Sequence, residues 1–266
     1  MTLYPGADVT SQWYEDDYPG SVMHPNVTTL HTTEGASFPP YAGGSEAPNL
    51  TIFANKTHRV FQIKQHFPLE RSSRALVNKA GGVETNTLNN IQIELIGTCD
   101  PAHKDAWGAI YWPDAPEWCY VELGKVLANL HRLFPAMPLT AGGHVDATGR
   151  WPAYPESINA NRMTFAQWDA FKGVCGHQHV PENVHGDPGG LPIIKILNYA
   201  RGGTVTPTPA PKPVTRGPRV DAAIARSHQQ IAELKLVKRP SQLAKTKAAL
   251  AGEQAQLKLL LSYPPL

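Results

Sequence analysis

Four side chains able to bind a metal fall within one short stretch, "GHQHVPENVHGDPG", which runs from Gly176 to Gly189. They are His177, His179, His185 and Asp187. Imidazole nitrogens and carboxylate oxygens are common zinc donors, and a catalytic zinc takes three protein ligands and keeps a fourth position open. Gly and Pro interrupt the stretch and no apolar period runs through it, so it reads as a loop. If His177 to Pro181 were extended, His177 and His179 would point to one side and could chelate as a pair. His31 is the candidate for a ligand from elsewhere in the chain. It closes "NVTTLH", which reads as an apolar strand, and "TTEG" follows as a loop. Standing alone it would be an ordinary capping or surface histidine.

A carboxylate for proton transfer is also present. "NIQIELIG" sets Ile91, Ile93 and Leu95 against Gln92, Glu94 and Ile96. Alternation of this kind is a strand, so Glu94 can face a cleft while its neighbours face a core. By itself it would be an exposed strand glutamate with a salt-bridge partner. The cysteines, Cys99, Cys119 and Cys175, are too few and odd in number for a disulfide framework and read as small buried thiols. Cys175 sits two residues before His177 but lacks a CxxC partner, so a metal role for it stays open.

The elements that must position these groups alternate between strand and helix. Asn49 to Lys64 reads as a hairpin turning at "NKTH". "APEWCYVELGKVLANLHRLF" carries Trp118, Leu123, Leu127, Leu130 and Phe134 at helical spacing. A second helix is expected over Thr164–Val174, opened by a Thr cap, and a short one in "PGGLPIIKILNYA". Strands and helices interleaved in this way predict an α/β fold, a mixed central sheet flanked by helices. Trp107, Tyr111, Trp112 and Trp118 could stack on sugars or fill a core, and nothing in the pattern decides between them.

With these residues in place, the chain resembles the zinc-dependent N-acetylmuramoyl-L-alanine amidases of the type-2 amidase and peptidoglycan-recognition family. It looks most like the amidase domains of endolysins from phages of Gram-positive, actinobacterial hosts. The resemblance covers roughly residues 20–200 and rests on "LHTTEG", "NTLNNIQIELIG" and "GHQHVPENVHGDPG". In that family a His ends the first core strand. A Gly-His then opens a loop ten residues before a Cys or Asp that precedes Pro-Gly, and here His177 and Asp187 have that separation. The resemblance implies His31, His177 and Asp187 as zinc ligands, with His179 beside the site. It implies Glu94 as the base that activates water.

Many relatives carry Lys at the position of His185, where it is thought to stabilise the tetrahedral intermediate. A histidine near a dication would act there as a neutral donor or proton shuttle rather than a fixed charge. The loop "NKAGGVETNTLNN" falls where the family places a segment near substrate, which makes Asn86 and Asn90 candidates for binding stem peptide or sugar. The rival H-x-H reading resembles zinc D,D- or L,D-peptidases, but these need an Asp about seven residues beyond an upstream His, and Asp146 follows His144 by only two. A third reading is a recognition protein that binds peptidoglycan without cutting it.

The chain of 266 residues carries an uneven charge. Residues 1–200 hold 13 Lys+Arg against 19 Asp+Glu, and residues 219–266 hold 8 against 3. Between them "RGGTVTPTPAPKPVTRGP", residues 201–218, reads as a Pro-rich linker. Val220, Ile224, Ile231 and Leu234, then Leu243, Leu250, Leu257 and Leu261, predict a basic C-terminal helical hairpin broken at Pro240. So small a hairpin would pair with another copy, making a homo-oligomer, or meet anionic wall polymers. No nucleic-acid partner is expected. The start of the chain lacks the basic and apolar regions of a signal peptide. An endolysin of this kind would wait in the host cytoplasm before release and then act on peptidoglycan at the cell wall.

Overall fold

The computed structural model describes residues 1–106 and 108–203. The expected linker beyond residue 203, the C-terminal hairpin and Trp107 lie outside the described residues. Five strands form one mixed sheet: β1 (Val27–Thr32), β2 (Leu50–Asn55), β3 (Val60–Gln65), β4 (Asn90–Leu95) and β5 (Gly173–Gly176). Their order is β3-β2-β4-β1-β5. β2, β4, β1 and β5 run parallel, and β3 returns antiparallel to β2 through the expected hairpin. Among the described residues four α-helices accompany them: α1 (Glu117–Leu133), α2 (Ser157–Ala160), α3 (Phe165–Ala170) and α4 (Ile193–Ala200). This is the α/β architecture the sequence predicts.

Alternation along the strands gives the sheet two unlike faces. Leu30, Ile91, Ile93, Leu95, Leu50 and Ile52 point to one side and are buried with Leu123 and Leu127 of α1 and Ile193 and Ile196 of α4. Burying a side chain of this size contributes about 1.5–3 kcal/mol, so this face is the main core. The opposite face carries Thr29 and His31 on β1, Asn90, Gln92 and Glu94 on β4, and Thr51 on β2. Polar groups inside a fold must find partners. Thr29 Oγ1 donates to Asn90 Oδ1 at 3.0 Å and lies 3.4 Å from Cys175 Sγ. Gln92 Nε2 donates to Asn86 Oδ1 at 2.6 Å. A second apolar cluster of Val27, Leu76, Val83, Trp168, Cys175 and Val180 lies beside this polar row.

The expected helix over Thr164–Val174 is corrected. Thr164 does cap α3, accepting from Gln167 N while the Gln167 side chain accepts from Thr164 N. The helix ends at Ala170, and Gly173–Gly176 joins the sheet as β5. Gly173 adopts φ +127°, and a Cβ there would stand 2.6 Å from Thr140 O. Only glycine fits this start to the strand. All three cysteines are free and buried, as expected. Trp112 is fully buried, with its Nε1 donating to Ile96 O at 3.2 Å, so it fills the core. Among the described residues no helix is long and apolar enough to cross a membrane.

Candidate metal centre and its cleft

Strand register assembles the site. His31 is the register partner of Glu94, and Glu94 the partner of Thr51, so the three side chains form a row on one face of β1, β4 and β2. Leu30 pairs with Gly176, so His177 follows β5 directly beside His31. On β1 and β4 the row lies toward the carboxyl ends, where open α/β sheets bind ligands. Asp187 returns to this row because its loop is pinned at both ends. Gln178 N donates to Asp187 O at 2.9 Å, Gln178 Nε2 to Pro188 O at 3.3 Å, and Ser157 Oγ to Gly186 O at 2.6 Å.

His31, His177 and Asp187 each offer one donor atom, all within 4.8 Å of one another, and all three residues are buried. His31 Nδ1 lies 3.1 Å from His177 Nδ1. His177 Nδ1 lies 3.2 Å from Asp187 Oδ1, and His31 Nδ1 3.9 Å from Asp187 Oδ2. Two nitrogens bound to one tetrahedral zinc at about 2.0–2.1 Å stand about 3.3–3.4 Å apart, so the spacing fits. The protonation states fit too. Burial, then the neighbouring His177, holds His31 well below the usual histidine range and leaves it neutral. Burial alone would raise Asp187, but its contact with His177 and the Thr32 N–H, which donates to Oδ2 at 3.0 Å, outweigh it and hold the carboxyl well below its usual range. Metal ligands need those two states. The donor set can therefore hold a metal ion.

Glu94 Oε2 is shut off from solvent and has no hydrogen-bond partner among the described residues. Burial, followed by the charges of Asp187 and Glu34, lifts its pKa well above the usual carboxylate range. A cleft of about 570 Å³ is lined by Glu94, His177, His185 and Asp187, with Tyr41 and Val77 also in its wall. His185 is exposed and stacks on His177, with ring centroids 4.4 Å apart and planes 9° from parallel. Its Nδ1 is 3.8 Å from Asp187 Oδ1, too far for a hydrogen bond. Partial burial, then His177, lowers its pKa, in the direction of the neutral donor expected from the sequence.

Other expectations about nearby residues change. His177–His179 forms a 3-10 turn rather than an extended segment, so the two rings do not chelate together. His179 is buried, its Nδ1 accepts from Gly176 N at 2.9 Å, and it packs edge-on against Trp151 at 5.0 Å. Burial lowers its pKa to about 3. Cys175 is outside the donor group and rests against Thr29. Asn86 and Asn90 do not reach out for substrate. Asn86 is spent on Leu76 N and O and on Gln92, and Asn90 on Thr29 and Thr85 O.

Three features were not found from the sequence. Asn183 Oδ1 lies 3.2 Å from His177 Nε2, inside the ligand loop, where no spacing rule marks it. Glu34 adopts φ +48°, a costly conformation for a non-glycine residue, while its carboxylate accepts from Thr32 Oγ1, Thr98 Oγ1 and Cys99 N. A buried chain runs from Tyr41 through Thr51 to His66. His66 Nδ1 is 2.7 Å from Gln12 O, which can only accept, so that nitrogen carries the proton. Burial holds His66 at about 4, hence neutral near pH 7, and its Nε2 accepts from Thr51 Oγ1 at 2.8 Å. Tyr41 OH must then donate to Thr51 Oγ1, 2.7 Å away, so the phenol offers only lone pairs to the cleft. The polar Thr51 inside the apolar run "LTIFAN" is the one trace of this chain that the sequence carries.

Comparison with protein-family models, with curated proteins and with solved structures gave no match.

Proposed function

We propose that the protein is a zinc-dependent N-acetylmuramoyl-L-alanine amidase of the type-2 amidase and peptidoglycan-recognition kind, which cuts peptidoglycan as an endolysin. The observation that carries this reading is the buried His31–His177–Asp187 set with the unpartnered Glu94 Oε2 in the adjoining row and cleft. The sequence resemblance supplies the substrate: the amide between the lactyl group of N-acetylmuramic acid and L-alanine. A complete ligand set favours an enzyme over a protein that only binds the wall. The 3-10 turn and the Gly176 N–H on its Nδ1 keep His179 out of the donor group, which weighs against the H-x-H peptidase alternative.

Zinc held by the three ligands would polarise the scissile carbonyl and bring the pKa of water there toward about 7. Glu94 accepts the proton of the attacking water at Oε2, the oxygen with no other partner. Burial and the nearby charges of Asp187 and Glu34 favour the protonated form that Glu94 then takes. Oxygen adds to the carbonyl carbon, and His185, neutral and beside Asp187, donates a hydrogen bond to the carbonyl oxygen as charge gathers there. Glu94 then passes its proton to the alanine nitrogen as the C–N bond breaks. The products are a lactyl carboxylate and a free L-alanyl amine.

Glu94→Ala tests the division of labour. We expect the variant to keep one zinc per chain by metal analysis and to lose about 10²–10⁴-fold in hydrolysis. Lysis of walls at the normal rate by Glu94→Ala would contradict the assignment.

A further inference from the structure

A histidine can bind a metal through a given nitrogen only when that nitrogen carries no proton, so the partner of the other nitrogen decides which atom is available. His31 Nδ1 and Asp187 Oδ1 both face His177 Nδ1, at 3.1 and 3.2 Å. On the far side of the ring, His177 Nε2 meets Asn183 Oδ1 at 3.2 Å. The orientation of the Asn183 amide is fixed independently of His177. The backbone N–H of Val77, which can only donate, is 2.8 Å from Oδ1. Asn183 Nδ2 is 2.9 Å from Pro181 O and 3.2 Å from Val77 O, which can only accept. Three backbone groups therefore agree that the oxygen, not the nitrogen, faces His177.

We propose that Asn183 Oδ1 accepts the His177 Nε2–H and so turns Nδ1 of the ring to the metal, making Asn183 a positioning residue for the centre. The Nε2 proton donates to Asn183 Oδ1. With Nδ1 bare, its lone pair and the oxygen of Asp187 converge on a point that only a cation or a donated hydrogen can occupy. The same amide ties the ligand loop to Val77, which lines the cleft, so one side chain holds both a ligand and part of the substrate wall. The inference rests on the metal reading of His31, His177 and Asp187, but the tautomer itself can be observed without metal.

The test uses the full chain, stripped of metal, as wild type, Asn183→Ala and Asn183→Asp. Long-range 1H–15N spectra of the imidazoles report the tautomer, with His177 signals assigned by their loss in His177→Gln. Zinc affinity comes from competition with a chromophoric chelator at pH 8. We expect wild type to show the proton on Nε2. Asn183→Ala should populate the Nδ1-protonated form and bind zinc about 10- to 100-fold more weakly. Asn183→Asp keeps an oxygen for His177 Nε2 and for Val77 N but gives up both donations to carbonyls. It should retain the tautomer and an affinity close to wild type.

An unchanged tautomer and affinity in Asn183→Ala would overturn the proposal. A fall in Asn183→Asp as deep as in Asn183→Ala would also overturn it, because loop support alone would then be the role of Asn183. Wild type that shows the Nε2 proton yet takes up no zinc would sink the metal reading while upholding the Asn183 hydrogen bond.

Discussion

Protonation decides what each side chain of the centre can do. His31 is neutral because it is buried, and Asp187 is charged because its neighbours outweigh its burial. Among the described residues Glu94 has neither a donor nor a cation of its own, and burial pushes its pKa up. The donor residues were legible through the family resemblance, whose ten-residue gap and strand-ending histidine are properties of order along the chain. His179 was a rival there only under the assumption of an extended backbone, which the 3-10 turn removes. Asn183 and His66 were illegible because their roles depend on contacts with residues far along the chain, Val77 and Gln12. His66 also gives a pH prediction. Its folded pKa of about 4 lies below the ordinary 6.5, so between those values the unfolded chain binds the proton and the folded chain does not. Its contribution is whole above pH 6.5 and is lost as pH falls toward 4, at about 1.4 kcal/mol per pH unit within the window. The urea midpoint should therefore fall more between pH 6.5 and 4.5 in wild type than in His66→Gln. Equal falls would show that His66 is not held neutral.

At the scale of elements, the sheet acts as a ruler. In-register pairing across β2, β4 and β1 sets Thr51, Glu94 and His31 side by side, and β5 delivers His177 next in line. An apolar run made β1 readable, strict alternation made β4 readable, and the "NKTH" turn marked the β2–β3 hairpin. β5 was not, because "GVCG" is only four residues long and continues directly from the helical pattern of α3. The sheet is held from behind by α1 and α4, whose close approach depends on Gly124. A Cβ at that position would stand 2.7 Å from Tyr199 Cβ and 3.0 Å from Ile196 O. Alanine normally favours a helix interior by about 1 kcal/mol over glycine, but here it must push α4 away. We expect Gly124→Ala to destabilise by about 1–3 kcal/mol in urea unfolding. A stabilised variant would mean that the two helices can separate at no cost.

At the scale of the whole molecule, every residue assigned to the centre lies within the described α/β body, which is acidic, while the basic residues concentrate after residue 218. That division was plain in composition, and contact of the tail with an anionic wall polymer or with a second copy remains a proposal from charge and heptad spacing. The substrate is the other long-range inference, since it comes from the resemblance rather than from the shape of the cleft. Mass spectrometry of purified peptidoglycan digested by the zinc-loaded full chain, with Glu94→Ala as the control, tests it most directly. The account predicts free stem peptides that begin at L-alanine, released by wild type and absent from the control. New D-alanyl or cross-bridge termini, or a wall left uncut by zinc-loaded wild type, would contradict it.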